Sequence, residues 1–309
     1  MQTEQRPAIG FIGLGHMGGN MASRFLAAGY VVFGEERRRE RAAGLVHEGL
    51  RWRGTPREVA AAVDVVFSSI PNDDVLQAVA SGADGIVAGL GPGKIWVDVS
   101  TVSPRVSREL ASRVTETGAT MLDAPVSGSV PQVQSGTLTI MVGGDADAYQ
   151  RVEPLLRVLG TPTRVGDNGQ GLAIKLAINI SLAVQMLAFS EGLLLAERDG
   201  VDLKVAIDVM STSAIGSPML KARVPLILDL PDDAWFDIGL MHKDIRLALA
   251  MARDLGVPLP SATAADDVLS QAERLGYEHR DIAAFHELLG RLADSADGTA
   301  EPSRQLHSE

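Results

Sequence analysis

The fold is decided by GFIGLGHMGGNMASRF, residues 10–25, which sets Gly13, Gly15 and Gly18 in G-x-G-x-x-G spacing. A strand-like AIGFI precedes the glycines, and an amphipathic helix, expected over residues 17–28, follows them. In that context each glycine has a mechanical reason. The first permits a tight turn, the second lets backbone approach a pyrophosphate, and the third lets a helix pack close against a strand. The helix start then offers N–H groups and partial positive charge to an anion. The stretch predicts a β-α-β unit that binds a dinucleotide through Gly13, Leu14, Gly15, His16, Met17 and Gly18.

Working outward, short apolar runs alternate with amphipathic segments: VVFG, VDVVFSS, KIWVDVS, TMLDAP, LTIMVGG and a last strand near TPTRVG. This predicts an α/β fold, a doubly wound parallel sheet with helices on both faces. Past Gly169 the pattern is helical, opening with a long segment that runs to the stop signal at Gly200. The expected organisation is a dinucleotide-binding domain over residues 1–168, an all-helical domain for substrate and dimerisation over 169–293, joined by a long interdomain helix, and a flexible polar tail over 294–309.

Composition narrows the function. The 309 residues are 46% hydrophobic and 22% charged, as in a soluble globular chain of about two domains. A net charge of -11 argues against sequence-independent nucleic-acid binding and against docking on an anionic membrane. The most apolar segment, residues 172–196, carries Lys175, Asn179, Ser181, Gln185 and Glu191, so a helix buried in protein is expected, not one in lipid. There are 0 cysteines, and the 6 histidines show no paired ligand spacing, so neither a disulfide framework nor a metal is expected. The start, MQTEQRPAIGFIGLG, has an early Glu and no apolar run, which predicts no secretory signal and a cytoplasmic location.

The second strand ends in Glu35 and Glu36, and Glu36 stands where an acid would bind the adenosine ribose hydroxyls of NAD. Arg37, Arg38 and Arg39 follow, and could neutralise the 2′-phosphate of NADP or simply begin a solvated helix. Glu36 favours NAD, because a carboxylate beside a phosphate is repulsive; Glu36 and Arg37 are the candidate contacts. A second unusual feature is GDNGQGLAIKLAIN, residues 166–179, where Lys175 interrupts an apolar face. A buried amine is costly unless it snorkels or has a partner, and Asn179, four residues on, shares its helix face.

Five motifs together resemble the β-hydroxyacid dehydrogenases, the family of 3-hydroxyisobutyrate dehydrogenase, tartronate semialdehyde reductase and the glyoxylate or succinic semialdehyde reductases. They are GFIGLGHMG (10–18), DVSTVSP (98–104), DAPVSGS (123–129), GDNGQGLAIKLAIN and MHKDIRLALA (241–250), in the family's order and spacing over nearly the whole chain. The resemblance implies a Rossmann domain and NAD(P)-dependent hydride transfer between nicotinamide and a small β-hydroxy acid or the corresponding semialdehyde or keto acid. It implies that Lys175 is the general acid and base and that Asn179 orients the amine or the substrate. A helix start and a cationic oxidised nicotinamide nearby would both disfavour the ammonium form.

Ser127, Gly128 and Ser129 are implied to anchor the substrate carboxylate through N–H groups and hydroxyls, a neutral anion site suited to an acidic protein. Their S-G-S form, with KDIRLALA, is similar to the glyoxylate and succinic semialdehyde reductase branch. Ile70, Pro71 and Asn72 match the loop on the adenosine side of the cofactor, and Ser100 and Thr101 the turn near the nicotinamide, although such turns also occur for capping alone. Lys243 matches a lysine that approaches the cofactor, where the alternative is a surface ion pair with Asp244. His242 is expected to pack, and Ala283 stands where many relatives have a serine. Family members pair through their helical halves, so a homodimer or tetramer is expected. Two rivals remain open: an imine reductase, which usually has Asp or Tyr in place of Lys175, and a non-catalytic nucleotide-binding scaffold, which retention of Lys175 and Asn179 opposes.

Overall fold

The apolar runs become nine strands: β1 (Ile9–Ile12), β2 (Val32–Glu35), β3 (Arg51–Trp52), β4 (Val65–Ser68), β5 (Ile95–Asp98), β6 (Thr120–Asp123), β7 (Val126–Ser127), β8 (Leu138–Gly143) and β9 (Gly160–Gly166). The structure, a computed structural model, describes residues 7–296. The strands form one sheet in the order β3-β2-β1-β4-β5-β6-β8-β7, with β9 on β8. From β3 to β6 every pairing is parallel. Beyond β6 the sheet becomes mixed, because β8 runs antiparallel to β6 and β7 while β9 runs parallel to β8. β3 and β7 were not expected; at two residues each they are too short to show any period.

Successive strand residues face opposite sides, which explains the continuous apolar runs. Phe11, Phe67, Val97 and Leu122 point into one buried layer with Phe25 from the first helix. Their neighbours Ile12, Val66, Trp96 and Met121 point into the other. In the first layer Phe67 lies 5.8 Å from Phe11 and 5.2 Å from Phe25, ring centre to ring centre. The parallel crossovers bring all the carboxyl ends of β1, β2, β4, β5 and β6 to one edge. There a single register row runs Glu35, Ile12, Ser68, Asp98, Asp123, Gly143 across the sheet. The chain reverses its direction of travel between β1 and β4, the place where open α/β sheets bind ligands.

After β9 the described residues form no further strand, only an isolated bridge between Asp237 and Asp281. The long helix is Gln170–Arg198, and five more of two or more turns follow it: Leu203–Thr212, Pro218–Leu228, Ile238–Leu255, Pro260–Arg274 and Phe285–Ala296. By length and composition Gln170–Arg198 could cross a membrane, but its polar residues and the 44% burial of its most apolar window suit a core helix. The chain divides into two units between Ile178 and Asn179, within this helix, not at its glycine-rich start. The reason is packing: Leu172, in the helix's first turn, belongs to the sheet's core. The last helix extends to Ala296, past the expected start of the tail, and the tail residues 297–309 lie outside the described residues.

The second unit has its own core, built around Phe189, Met241, Ile245, Leu269, Phe285 and Leu288. A buried ion pair crosses it, Arg223 to Asp281, with side chains 8% and 0% exposed. Asp281 also accepts N–H bonds from Trp235 (2.9 Å), Phe236 (3.1 Å) and Ala283 (3.0 Å). Removing one partner of a buried pair strands the other charge, whereas exposed pairs contribute little. Arg223→Ala is therefore expected to destabilise the protein by roughly 3–5 kcal/mol. Arg105→Ala, which breaks an exposed pair with Glu109, should change stability by less than about 1 kcal/mol. Urea unfolding of the two variants checks this.

Candidate active site

The glycine loop joins β1 to the helix His16–Ala27. Gly13 has φ +82°, and a Cβ there would stand 2.4 Å from the Ser69 carbonyl. A Cβ on Gly18 would stand 2.0 Å from the Gly13 carbonyl and 3.0 Å from the Phe11 ring, so helix and strand touch only because the side chain is missing. A Cβ on Gly15 would meet nothing within 4 Å, which leaves its backbone open to an incoming ligand. The helix start has no side-chain cap and no acidic residue in its first turn, as suits a bound pyrophosphate. His16 is exposed, Met17 packs against the core, and Leu14 is buried, so Leu14 offers backbone alone.

The Leu14 amide donates to Glu36 Oε2 (3.0 Å), and the Arg38 amide lies 3.4 Å from Oε1. Glu36 thus holds the glycine loop from the end of β2. Burial first, and Glu36 beside it second, raise the Glu35 carboxyl to about 7. Arg37 is exposed. In the next loop Ile70 is buried and Pro71 is exposed, while Asn72 caps the helix Asp73–Ala80 by accepting the Val75 N–H (3.0 Å). Ser100 is buried and Thr101 half-buried after β5.

Ser127 and Gly128 leave β7 with Gly128 at φ +127°, where a Cβ would stand 2.8 Å from the Leu138 side chain. Ser129 caps the short helix Val130–Ser135. Its N–H (2.9 Å) and hydroxyl (3.2 Å) both donate to Gln132 Oε1. Two of the donors expected to meet a carboxylate are therefore already taken within the chain, by Gln132.

Asp123, which opens the same motif at the end of β6, accepts the Gly169 N–H at Oδ1 (2.7 Å) and the Leu172 N–H at Oδ2 (3.0 Å). These are orphan donors at the start of Gln170–Arg198, the helix that carries Lys175. Burial raises the Asp123 carboxyl above its usual range, opposed by those two hydrogen bonds. The glycines of the lysine motif make this possible. Gly166 and Gly169 have φ +150° and +86°, and a Cβ on Gly171 would stand 2.4 Å from the Met141 carbonyl and 2.8 Å from Asp123. Lys175 is half-buried and flanked by buried Leu172 and Leu176, and Asn179 is buried on the next turn.

In the second unit Asn179 Nδ2 donates to Asp244 Oδ2. Lys243 Nζ lies 3.0 Å from Asp244 Oδ1, close enough for an ion pair but without hydrogen-bond alignment. Asp244, 2% exposed, thus connects two of the expected site residues. His242 is buried between Asp266 (2.9 Å) and Glu273 (2.8 Å) on the helix Pro260–Arg274, a packing role as expected. Among the described residues no group of three or more His, Asp or Glu is arranged for a metal. Sequence reasoning missed Asp98, Asp123 and Gln132 as contributors. The available signals were an Asp closing an apolar strand in both DVSTVSP and DAPVSGS, and the S-x-x-Q spacing of Ser129 and Gln132 that marks a capping box.

Residues 8–169 match the NAD binding domain of 6-phosphogluconate dehydrogenase, and residues 169–289 match the NAD-binding segment of NADP-dependent 3-hydroxyisobutyrate dehydrogenase. The chain is 34% identical to glyoxylate/succinic semialdehyde reductase 2, chloroplastic, of Arabidopsis thaliana, over 91% of this chain and 79% of that protein. The 3-hydroxyisobutyrate dehydrogenase of Salmonella typhimurium superposes with a TM-score of 0.83 at 30% identity, covering 91% of this chain and 99% of that one. An imine reductase from Pseudomonas sp. is more distant, with a TM-score of 0.61 at 24% identity over 92% of this chain and 99% of that one, a likeness of fold alone.

The buried Asp98 gives a pH test of this edge of the sheet. Burial raises its carboxyl from 3.8 to about 6 against the hydrogen bonds of Ser100 and Ser68, and Asp123 adds to the rise. The folded protein then holds this proton more tightly than the unfolded chain, so the group's contribution to stability is lost as pH rises from about 4 to 6. At ~1.4 kcal/mol per unit the loss is on the order of 3 kcal/mol. Urea unfolding of Asp98→Asn should therefore gain on wild type by about that amount between pH 4 and pH 7; parallel pH curves would contradict the assignment.

Proposed function

The chain belongs to the β-hydroxyacid dehydrogenase family and is an NAD(P)-dependent oxidoreductase, and from that premise we propose how its residues divide the work on a small β-hydroxy acid or its semialdehyde. Lys175 takes the substrate hydroxyl proton in oxidation and returns it in reduction. Asn179, steadied by Asp244, orients that exchange. Ser127 and Gly128 receive the substrate carboxylate, and Ser129 joins them when Gln132 yields its donors. The observation that carries this reading is Lys175 itself, half-buried on a helix whose start Asp123 ties to the carboxylate motif.

The nicotinamide cofactor supplies the hydride chemistry. The three glycines and the uncapped helix start suit its pyrophosphate, since any side chain at Gly13 or Gly18 would collide and Gly15 is open. Ile70, Pro71 and Asn72 border its adenosine side, Ser100 and Thr101 its nicotinamide side, and Lys243 is the helical unit's contact. Glu36, already beside the loop, favours the ribose hydroxyls of NAD over a 2′-phosphate, with Arg37 the residue that would accommodate NADP. A homo-oligomer, dimer or tetramer, is supported by apolar side chains left in the open on the second unit: Leu195 at 75%, Val205 at 55% and Val209 at 60% exposure. A cytoplasmic location fits the family.

The test follows nicotinamide absorbance with NADH and NADPH over glyoxylate, succinic semialdehyde, methylmalonate semialdehyde and a cyclic imine. Turnover of a carbonyl acid, faster with NADH, is expected, and Lys175→Ala should lower kcat by roughly 10²–10⁴-fold. Turnover of the imine alone would overturn the carboxylate anchor. Cofactor binding with no turnover of any substrate would point to a binding protein.

A further inference from the structure

β5 ends in an acid, the first residue of DVSTVSP, to which the cofactor reading gives no role. Asp98 closes β5 and is fully buried, in register with Ser68 at the end of β4. Its Oδ1 accepts the Ser68 hydroxyl (2.6 Å) and the Ser100 hydroxyl (2.6 Å), and the Ser100 amide lies 3.4 Å away. Ser68 Oγ in turn accepts the Trp96 indole N–H (2.8 Å), and Ser100 Oγ accepts the Ile70 N–H (2.8 Å). Asp98 Oδ2 makes no hydrogen bond. One carboxylate oxygen therefore gathers a chain that runs from Trp96 through Ser68 to Asp98 and out through Ser100 to Ile70.

We propose that Asp98 is a positioning residue for the cofactor, fixing the spacing between the loop at residues 70–72 and the turn at residues 100–101. The proposal rests on the cofactor reading above. A serine hydroxyl has one proton, and Ser100 gives its own to Asp98 while receiving the Ile70 N–H, so this side chain is committed to holding the two loops together. Both loops leave the carboxyl edge of adjacent parallel strands, where a ligand of the glycine loop would pass. Packing alone would be served better by an apolar side chain, because a buried carboxyl with an unpaired oxygen is destabilising. What an apolar residue cannot supply is one acceptor shared by a hydroxyl at the end of β4 and another just beyond β5.

The experiment compares wild type, Asp98→Asn, Asp98→Ala, Ser100→Ala and the Asp98→Ala/Ser100→Ala double variant, each at matched folded fraction by circular dichroism. NADH and NADPH dissociation constants are read by nucleotide fluorescence, and KM for the carbonyl acid is measured at saturating cofactor. Asp98→Ala and Ser100→Ala should weaken cofactor binding about tenfold or more while substrate KM moves less. Asn keeps the shared acceptor, so Asp98→Asn should stay within about threefold of wild type. The double variant should be no worse than the weaker single one, since both cut the same path. If Asp98→Ala does not fold, Ser68→Ala, which loosens the same carboxylate from a residue given no cofactor contact, takes its place and should weaken cofactor binding in the same direction. Folded Ser100→Ala with wild-type cofactor affinity overturns the proposal, as does Asp98→Asn as damaged as Asp98→Ala. Wild type that binds neither nucleotide refutes the cofactor reading, and the proposal with it.

Discussion

A single buried carboxylate, Asp123, is the constraint on which the candidate site depends. It ends β6, begins the segment that carries Ser127 and Gly128, and accepts two N–H bonds from the start of the helix that carries Lys175. The helix start has orphan donors and partial positive charge, so a carboxylate is the acceptor best matched to it. The fit leaves no slack. A Cβ on Gly143 would stand 2.6 Å from Asp123 Oδ1, and one on Gly171 2.8 Å from Oδ2. Gly143 and Gly171, the latter from the lysine motif, thus clear space for an acid that accepts N–H bonds from residues 46 and 49 positions later. The start of the helix that carries Lys175 and the segment that carries Ser127 and Gly128 are joined by one short, buried linkage.

A chain of net charge -11 has to keep its own acids away from an anionic dinucleotide. The helix after the glycine loop keeps acids out of its first turn, and the N–H and hydroxyl of Ser129 are held by a neutral partner, Gln132. The acids at the carboxyl edge of the sheet are turned inward. Asp98 and Asp123 spend their charge on hydroxyls and amides inside the sheet edge, and Glu36 spends part of its charge on the Leu14 amide.

Much of this was legible before the structure because it is local. Short apolar runs located seven of the nine strands, and G-x-G-x-x-G spacing next to a strand located the tight turn between β1 and the first helix. What failed was what has no local pattern. β3 and β7 are two-residue strands created by their neighbours, and the mixed end of the sheet follows from β8 pairing with β7. That Leu172, in the first turn of the long helix, packs into the first core is likewise a tertiary fact that hydropathy does not record. Asp123, Asp98 and Asp244 act on partners 30 to 65 residues away, so each reads in sequence as an ordinary acid closing a strand or opening a pair. Ser129 was read as a donor awaiting a substrate, although its S-x-x-Q spacing to Gln132 is that of the capping box the structure shows.

The most direct measurement is kcat for the carbonyl acid in Asp123→Asn, alongside cofactor affinity and amide exchange at Gly169 and Leu172. Asn keeps the size of Asp but turns one acceptor into a donor facing an N–H, so the helix start should loosen. The account predicts faster exchange at those amides and kcat lower by roughly 10–100-fold, with cofactor affinity within about threefold, since a displacement near 1 Å suffices for such a loss. Faster exchange at both amides with kcat unchanged would contradict it, because the lysine would then work without the anchor.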